Sequence, residues 1–155
     1  MEPQLSPEER REMRAQLDRL LALIKEKGYG IPFVPADPAT GDTSLAYTVG
    51  LHVQRGFELA ISGLPYGVSC SILNAVVAWL DERQAAPSPC MEISDLPGGT
   101  YPFRLMEAGS SSHFVMVSTV YGHNPPVWQV VWPDAAGRFP GDPGCALTSK
   151  GQPAL

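Results

Sequence analysis

The chain has 155 residues, of which 44% are hydrophobic and 17% charged, and its formal net charge is −5. This length suits one domain, and the composition favours a packed core over a disordered chain. The negative charge disfavours nucleic acid and anionic membrane surfaces as partners, because both are bound through clustered Lys and Arg. We therefore expect a single domain over residues 1–155 that binds neither.

The cysteines and the hydropathy pattern bear on where the protein works. Cys70, Cys90 and Cys145 are widely spaced and odd in number, which does not suit a disulfide framework. No apolar leader opens the chain, and no apolar run approaches the roughly 18 residues of a membrane span. We expect a cytoplasmic protein.

The first element is a helix, predicted over residues 7–27. Ser6 is a capping residue, Pro7 suits the first helical position, and Glu9 completes a capping box. Gly28 is a plausible left-handed stop. One apolar stripe follows helical spacing: Met13, Leu17, Leu20, Leu21 and Ile24. Arg and Glu alternate elsewhere on this helix, which is typical of a solvated face.

The next elements are predicted as strands. Tyr29–Val34 reads as a short strand, which Pro32 restricts to the edge of a sheet. Ser44–His52 and Phe57–Ser62 read as a hairpin joined around Gln54–Gly56, since apolar and polar residues alternate in the second arm.

A second helix is predicted over residues 65–83, with an apolar stripe at helical spacing. Residues 84–100 are rich in Pro and Gly and read as a long loop. Loops of that length in compact domains are often functional.

The last third reads as strands. Tyr101–Glu107, His113–Tyr121 and Val127–Trp132 are rich in β-forming residues and predict an antiparallel meander. Residues 139–155 form a tail rich in Pro and Gly. The expected fold class is α+β: an antiparallel sheet (a hairpin plus a three-stranded meander) packed with two main helices.

Four segments together resemble a known family. They are AYTVGLH at 46–52, FELAISGLP at 57–65, ILNAVVAWL at 72–80 and QVVWPDAAGRFP at 129–140. Their layout is similar to that of the domain of unknown function 4262 family, over a core of about residues 30–145. The resemblance implies a bacterial, mostly actinobacterial, cytoplasmic protein and brings no established activity.

The chain departs from this family at two places. Family members often continue GRFP with an aromatic residue, whereas Gly141 follows Pro140 here. Many also carry a His–Pro pair directly before the glutamate at position 58, where this chain has Gly56 and Phe57. A site that the family shared at these positions would be altered in this member.

The WPDAAGRF segment has two interpretations. As structure, it is a strand stop in which Asp134 folds onto the following amides and Gly137 supplies a positive φ. As function, Trp132, Asp134 and Arg138 would rim a ligand pocket, with the indole as a platform and the ions fixing orientation.

The AYTVGLH segment poses the same choice. In a strand, Tyr47 lies on one face while Ala46, Thr48 and Gly50 form a small, hydroxyl-bearing face. Such a face suits close approach of backbone or ligand, and equally of a neighbouring helix.

One hypothesis joins the two segments in a small-molecule-binding or enzymatic accessory domain, with the pocket between them. His52 or Glu58 would transfer protons there, because neutral pH suits a histidine and burial raises a glutamate pKa. The predicted ligand-binding residues are Tyr47, Thr48, Trp132, Asp134 and Arg138. Whether the protein is an enzyme, and which cofactor it would use, stay open at this point.

Other functions are kept beside this one. The TVGL strand loosely resembles flavin-reductase split barrels, which makes flavin binding an alternative. His52, His113 and His123 show no close-spaced ligand pattern, so no metal site is predicted. A non-catalytic module could instead bind a protein through the sheet edge or the loop at 84–100, or form a homodimer.

Overall fold

The computed structural model describes residues 4–96, 101–110, 113–145, 152, 153 and 155. Residues 97–100 of the predicted loop, and residues 146–151 and 154 of the predicted tail, lie outside this part of the chain. The elements follow in the order α1 (Pro7–Lys27), β1 (Phe33–Val34), β2 (Leu45–Tyr47), α2 (His52–Arg55), β3 (Glu58–Ser62), α3 (Tyr66–Arg83), β4 (Met91–Ile93), β5 (Phe103–Glu107), α4 (Val115–Tyr121) and β6 (Val127–Val131).

The strands form one six-stranded sheet in the order β1-β2-β3-β6-β5-β4. The central strands β3 and β6 run parallel, and all the other neighbours are antiparallel. Each half of the sheet is therefore built from three strands that are consecutive in the sequence. The predicted α+β fold is confirmed; the sheet, predicted as antiparallel, is mostly so, with one parallel pair at its centre.

The first helix is confirmed from end to end. Ser6 and Glu9 form the expected capping box, and Gly28 ends the helix with a φ of 93°. These signals are local in sequence, which is why they predict the boundaries of α1 correctly. No helix in the described part of the chain has the length and apolar character needed to cross a bilayer.

Two predictions in the second half of the chain are wrong. His113–Tyr121 is not a strand, because residues 115–121 form the helix α4. Its β-branched residues fit a strand, but Phe114 and Val117 lie three positions apart and are both buried, as a helix packed on the sheet requires. The predicted loop at 84–100 contains β4, which pairs with β5 and supplies the third strand of that half.

The predicted hairpin has the right strands and the wrong connection. β2 and β3 pair antiparallel, with Ala46 opposite Ile61. The chain between them forms the short helix α2, which ends at Gly56 with a φ of 83°. The segment after β2 thus folds back over the start of β3 instead of turning tightly.

Two apolar clusters lie on opposite sides of the sheet. The first is formed with α3, and its fully buried members include Leu59, Ile61, Leu73, Val76, Ile93, Leu105 and Val130. The second is formed with α1 and α4, and its buried members are Leu20, Leu45, Tyr47, Val49, Ala60, Phe114, Val117 and Val127.

Candidate functional site

Glu58 stands at the start of β3 and is completely buried. Its carboxylate oxygens accept hydrogen bonds from three backbone amides and two hydroxyls. The donors are the amides of Gly50 (3.1 Å), Leu51 (3.1 Å) and His52 (3.0 Å) and the hydroxyls of Thr48 (2.9 Å) and Tyr121 (2.8 Å). We call these residues together the Glu58 cluster. It ties the segment after β2 and the end of α4 to the central strand.

Gly50 makes this convergence of amides sterically feasible. Its φ of 120° is in the region that side chains rarely adopt. A Cβ built there would lie 2.5 Å from the carbonyl oxygen of Gly28 and 2.8 Å from Cα of Tyr29. With glycine at position 50, the end of α1 packs directly on the loop whose three successive amides point at one carboxylate.

Thr48 links the cluster to the sheet. Its amide donates to the carbonyl of Leu59 at 2.8 Å, and its hydroxyl accepts from the amide of Leu59 at 2.9 Å. The hydroxyl therefore takes the place of a backbone carbonyl where β2 ends. Because it also donates to Glu58, a completely buried threonine satisfies two buried groups at once.

The electrostatics of Glu58 combine two opposing effects. Burial raises the pKa of its carboxyl group, while the hydrogen bonds from the His52 amide, Tyr121, Thr48 and the Gly50 amide lower it; burial prevails. Burial also raises the pKa of Tyr121, and its hydrogen bond to Glu58 adds to the rise. Backbone amides can only donate, so the ionised carboxylate is the form that matches all five donors.

The aromatic rings beside Glu58 reach the surface. The His52 ring lies 5.3 Å from that of Tyr121 and 5.4 Å from that of His123, measured between ring centroids. Nδ1 of His52 is buried and has no hydrogen-bond partner within the described residues. No group of three or more His, Cys, Asp or Glu suited to a metal occurs in that part of the chain either.

The WPDAAGRF residues lie at the opposite end of β3. Nε1 of Trp132 donates to the carbonyl of Ser62 at 2.8 Å. Oδ1 of Asp134 accepts from the amides of Ala136 (3.0 Å) and Arg138 (2.8 Å). The guanidinium of Arg138 donates to the carbonyl of Gly144 at 2.7 Å. These contacts build the turn that follows β6.

The structure does not bring the two signature segments to one place. Glu58 is paired with Val127 at the start of both central strands, whereas Trp132 meets Ser62 where they end. Four residues of strand separate the two ends by about 13 Å. Of the predicted site residues, Thr48, His52 and Glu58 are in contact, while Trp132, Asp134 and Arg138 form a separate group.

Tyr47 lies elsewhere again, in a groove between α1, β1 and the starts of α3 and α4. We call it the α1 groove, and its volume is about 540 Å³. Its lining is mostly apolar: Met13, Gln16, Arg19, Leu20, Leu23, Ile31, Pro32, Phe33, Val34, Tyr47, Tyr66, Val115 and Met116. Tyr47 is 2% exposed, and its hydroxyl accepts from the amide of Met116 at 3.1 Å.

Sequence reasoning missed Tyr121 and Arg19. Tyr121 belongs to the segment that was predicted as a strand; helical spacing from Phe114 and Val117 would have placed it on the buried side. Arg19 was assigned to a solvated face, which agrees with its exposure; what the sequence did not reveal is that it also lines the groove. Gln16 and Leu23, three positions before and four after it, mark the side of α1 that faces the groove.

Comparisons with known proteins give one result. A family model described as Domain of unknown function (DUF4262) matches residues 23–146. Searches of curated proteins and of solved structures gave no match. The match covers the sheet, the Glu58 cluster and the last turn of α1.

Proposed function

We propose a function for this chain, which belongs to the DUF4262 family: it binds a small amphipathic molecule in the α1 groove. The observation that carries the proposal is the incompletely covered apolar side of α1. Leu20 is the only buried residue of that helix. Met13 and Leu23 line the groove and are 42% and 38% exposed.

The size and lining of the groove suit such a ligand. Pockets for small molecules measure roughly 300–1,000 Å³ and combine apolar walls with a few polar groups. The α1 groove has a volume of about 540 Å³, apolar walls from α1 and β1, and polar groups from Gln16, Arg19, Tyr47 and Tyr66. An occupant would bury apolar surface that otherwise faces water, which is favourable in proportion to the area covered.

Other exposed residues continue the apolar surface at the groove. Val34, Tyr66 and Val115 are 47%, 58% and 51% exposed and come from three different elements. Single exposed apolar residues are ordinary, whereas contiguous patches mark binding sites. The convergence of three elements on one groove supports binding more strongly than the exposure of any one residue.

The proton-transfer role predicted for His52 and Glu58 receives less support. Both carboxylate oxygens of Glu58 already accept hydrogen bonds from the protein, so no lone pair points to a substrate site. The catalytic role stays a prediction. Flavin binding stays one as well, since neither the strand order nor the family match adds support for it.

A thermal-shift screen with a matched pair of variants tests the proposal. Leu23→Glu places a carboxylate in the groove, and Leu21→Glu places one on the same helix outside the groove lining. A ligand that binds the native state raises the melting temperature by mass action. We expect amphipathic metabolites to raise it for the wild type and Leu21→Glu, and not for Leu23→Glu.

Two results would count against the proposal. One is a panel of amphipathic compounds that leaves every melting temperature unchanged. The other is an equal shift in wild type and Leu23→Glu, which would place the binding site elsewhere on the protein.

A further inference from the structure

We infer that the occupant of the α1 groove carries an anionic head group beside its apolar body, and that Arg19 binds the head group. This inference rests on the proposed function, because it concerns the ligand of the same groove. The ligand class is an anionic amphiphile with a carboxylate or phosphate head, and the residue that selects it is Arg19.

Charge in the groove supports an anion. Arg19 is the one charged residue among the described residues that line it. The chain as a whole carries a net charge of −5, so a cation facing an apolar groove runs against the overall charge of the protein. An anionic head group at this position complements the local charge and avoids the acidic remainder of the surface.

Two arginines elsewhere on the molecule show what a guanidinium paired within this protein looks like. Arg55 makes two hydrogen bonds of 2.7 Å to Asp81. Arg83 pairs with Asp95 at 2.6 Å. Carboxylates of the chain itself thus satisfy the arginines that pack near α3.

Arg19 has no such partner within the described residues. The positions three and four residues away on α1 are Ala15, Gln16, Ala22 and Leu23, and none of them is acidic. A guanidinium matches a carboxylate or phosphate through paired hydrogen bonds, and such charge-assisted bonds are the stronger kind. The Arg19 guanidinium is therefore available to an external anion.

Tyr47 adds a second donor to the groove. Its hydroxyl oxygen accepts from the amide of Met116, and its own hydrogen has no acceptor in the part of the chain that the structure describes. Burial raises the pKa of Tyr47, so the phenol keeps that hydrogen at neutral pH. An oxygen atom of the ligand would satisfy this donor, which is 98% shielded from solvent by the protein.

The apolar body of the ligand would lie on the remaining walls. Leu20, Ile31, Phe33 and Met116 present aliphatic carbon, an aromatic ring and a thioether. Aliphatic and thioether side chains adapt to chains and rings alike. The walls therefore select for apolar character, and Arg19 selects for charge.

Three probes that share one decyl chain separate these contributions. They are decanoate, 1-decanol and decyltrimethylammonium, each titrated below its aggregation concentration into the full chain by isothermal calorimetry. We expect decanoate to bind about 10-fold more tightly than 1-decanol, since a charge-assisted hydrogen bond contributes that much or more. Decyltrimethylammonium should bind most weakly.

Two variants assign the difference to a residue. Arg19→Gln should weaken decanoate binding to the level of 1-decanol and leave 1-decanol unchanged. Arg14→Gln removes a charge from the same helix outside the groove lining and should leave all three affinities unchanged.

The possible outcomes test the preference for an anion separately from binding in the α1 groove. Equal binding of decanoate and 1-decanol, abolished for both by Leu23→Glu, would overturn the anion preference and keep the binding function. Absence of binding by every probe would overturn both. A dimer in light scattering that Leu23→Glu converts to monomer would also overturn both, because a second copy of the chain would then fill the groove.

Discussion

The Glu58 cluster and the α1 groove differ in how their polar and apolar groups are satisfied. In the cluster, the completely buried carboxylate of Glu58 accepts five hydrogen bonds from the protein. In the groove, apolar side chains face an open volume, and one guanidinium has no carboxylate beside it in the described residues. The carboxylate of Glu58 is fully bonded within the protein, whereas the groove leaves apolar surface open to solvent.

The difference separates residues whose polar groups bond to the protein itself from residues that face an open volume. Glu58 and Thr48 are residue types that catalysis uses, and here their side chains bond to the backbone and to each other. Arg19 belongs to the alternating Arg and Glu residues of α1, a pattern typical of a solvated face, and it also lines the groove.

The largest expected effect comes from removing the acceptor at the centre of the cluster. Glu58→Ala leaves three amides and two hydroxyls buried without their partner, and we expect a loss of about 3–5 kcal/mol in the free energy of unfolding. Urea denaturation measures it, with the exposed Glu82→Ala as a control that should change stability by less than about 0.5 kcal/mol. If Glu58→Ala lost as little stability as the control, the hydrogen bonds to Glu58 would not stabilise the fold, and the comparison of the two regions would fail.

A smaller effect is expected from Tyr121→Phe. This variant removes the hydroxyl that donates to Glu58 and accepts from the Gly50 amide, both at less than 3 Å. The Gly50 amide keeps its bond to Glu58, so the expected loss is about 1–2 kcal/mol. Denaturation of Tyr121→Phe beside Tyr101→Phe, at a 46% exposed tyrosine, sharpens the comparison. Equal stability of the two variants would mean that the Tyr121 hydroxyl contributes nothing measurable to the stability of the cluster.

The smallest expected effect is a dependence on pH, because the hydrogen bonds to Glu58 offset part of the effect of burial. The pKa of Glu58 is raised in the folded state, so the folded protein binds this proton more tightly than the unfolded chain. The contribution of Glu58 to stability is then largest at low pH. It falls as pH rises from the ordinary glutamate pKa, about 4.3, to the raised value.

Comparison with Glu58→Gln isolates the pH dependence of stability that comes from Glu58. The difference in unfolding free energy between wild type and the variant should shrink as pH rises through that window, since the other titrating groups are common to both. A difference that grows with pH would mean that the five donors outweigh burial and that the folded pKa is lowered.

Local signals predicted the parts of the fold that depend on neighbours in sequence. The boundaries of α1 follow from Ser6, Pro7 and Gly28, whose roles need no knowledge of the rest of the chain. The α+β class and the turn after β6 were predicted for the same reason. Asp134 does accept from the amides that follow it.

The rest depended on contacts between distant residues. Val115–Tyr121 has the composition of a strand, and its packing over Tyr47 and Val49 decides for a helix. The partners of Glu58 come from the segment after β2 and from the end of α4, and no spacing rule connects Glu58 to Tyr121. The site residues were predicted by type, whereas their grouping is a property of the assembled sheet.

The sheet consists of two three-stranded halves, and the parallel pairing of β3 with β6 is the seam where they meet. Residues up to the end of α3 supply β1, β2 and β3, and the residues after it supply β4, β5 and β6. A chain cut between α3 and β4, at the exposed residues Ser88 and Pro89, leaves each sub-sheet covalently whole. The two fragments are then candidates for complementation: the seam would reassemble from separate polypeptides, and Tyr121 from one fragment would meet Glu58 from the other.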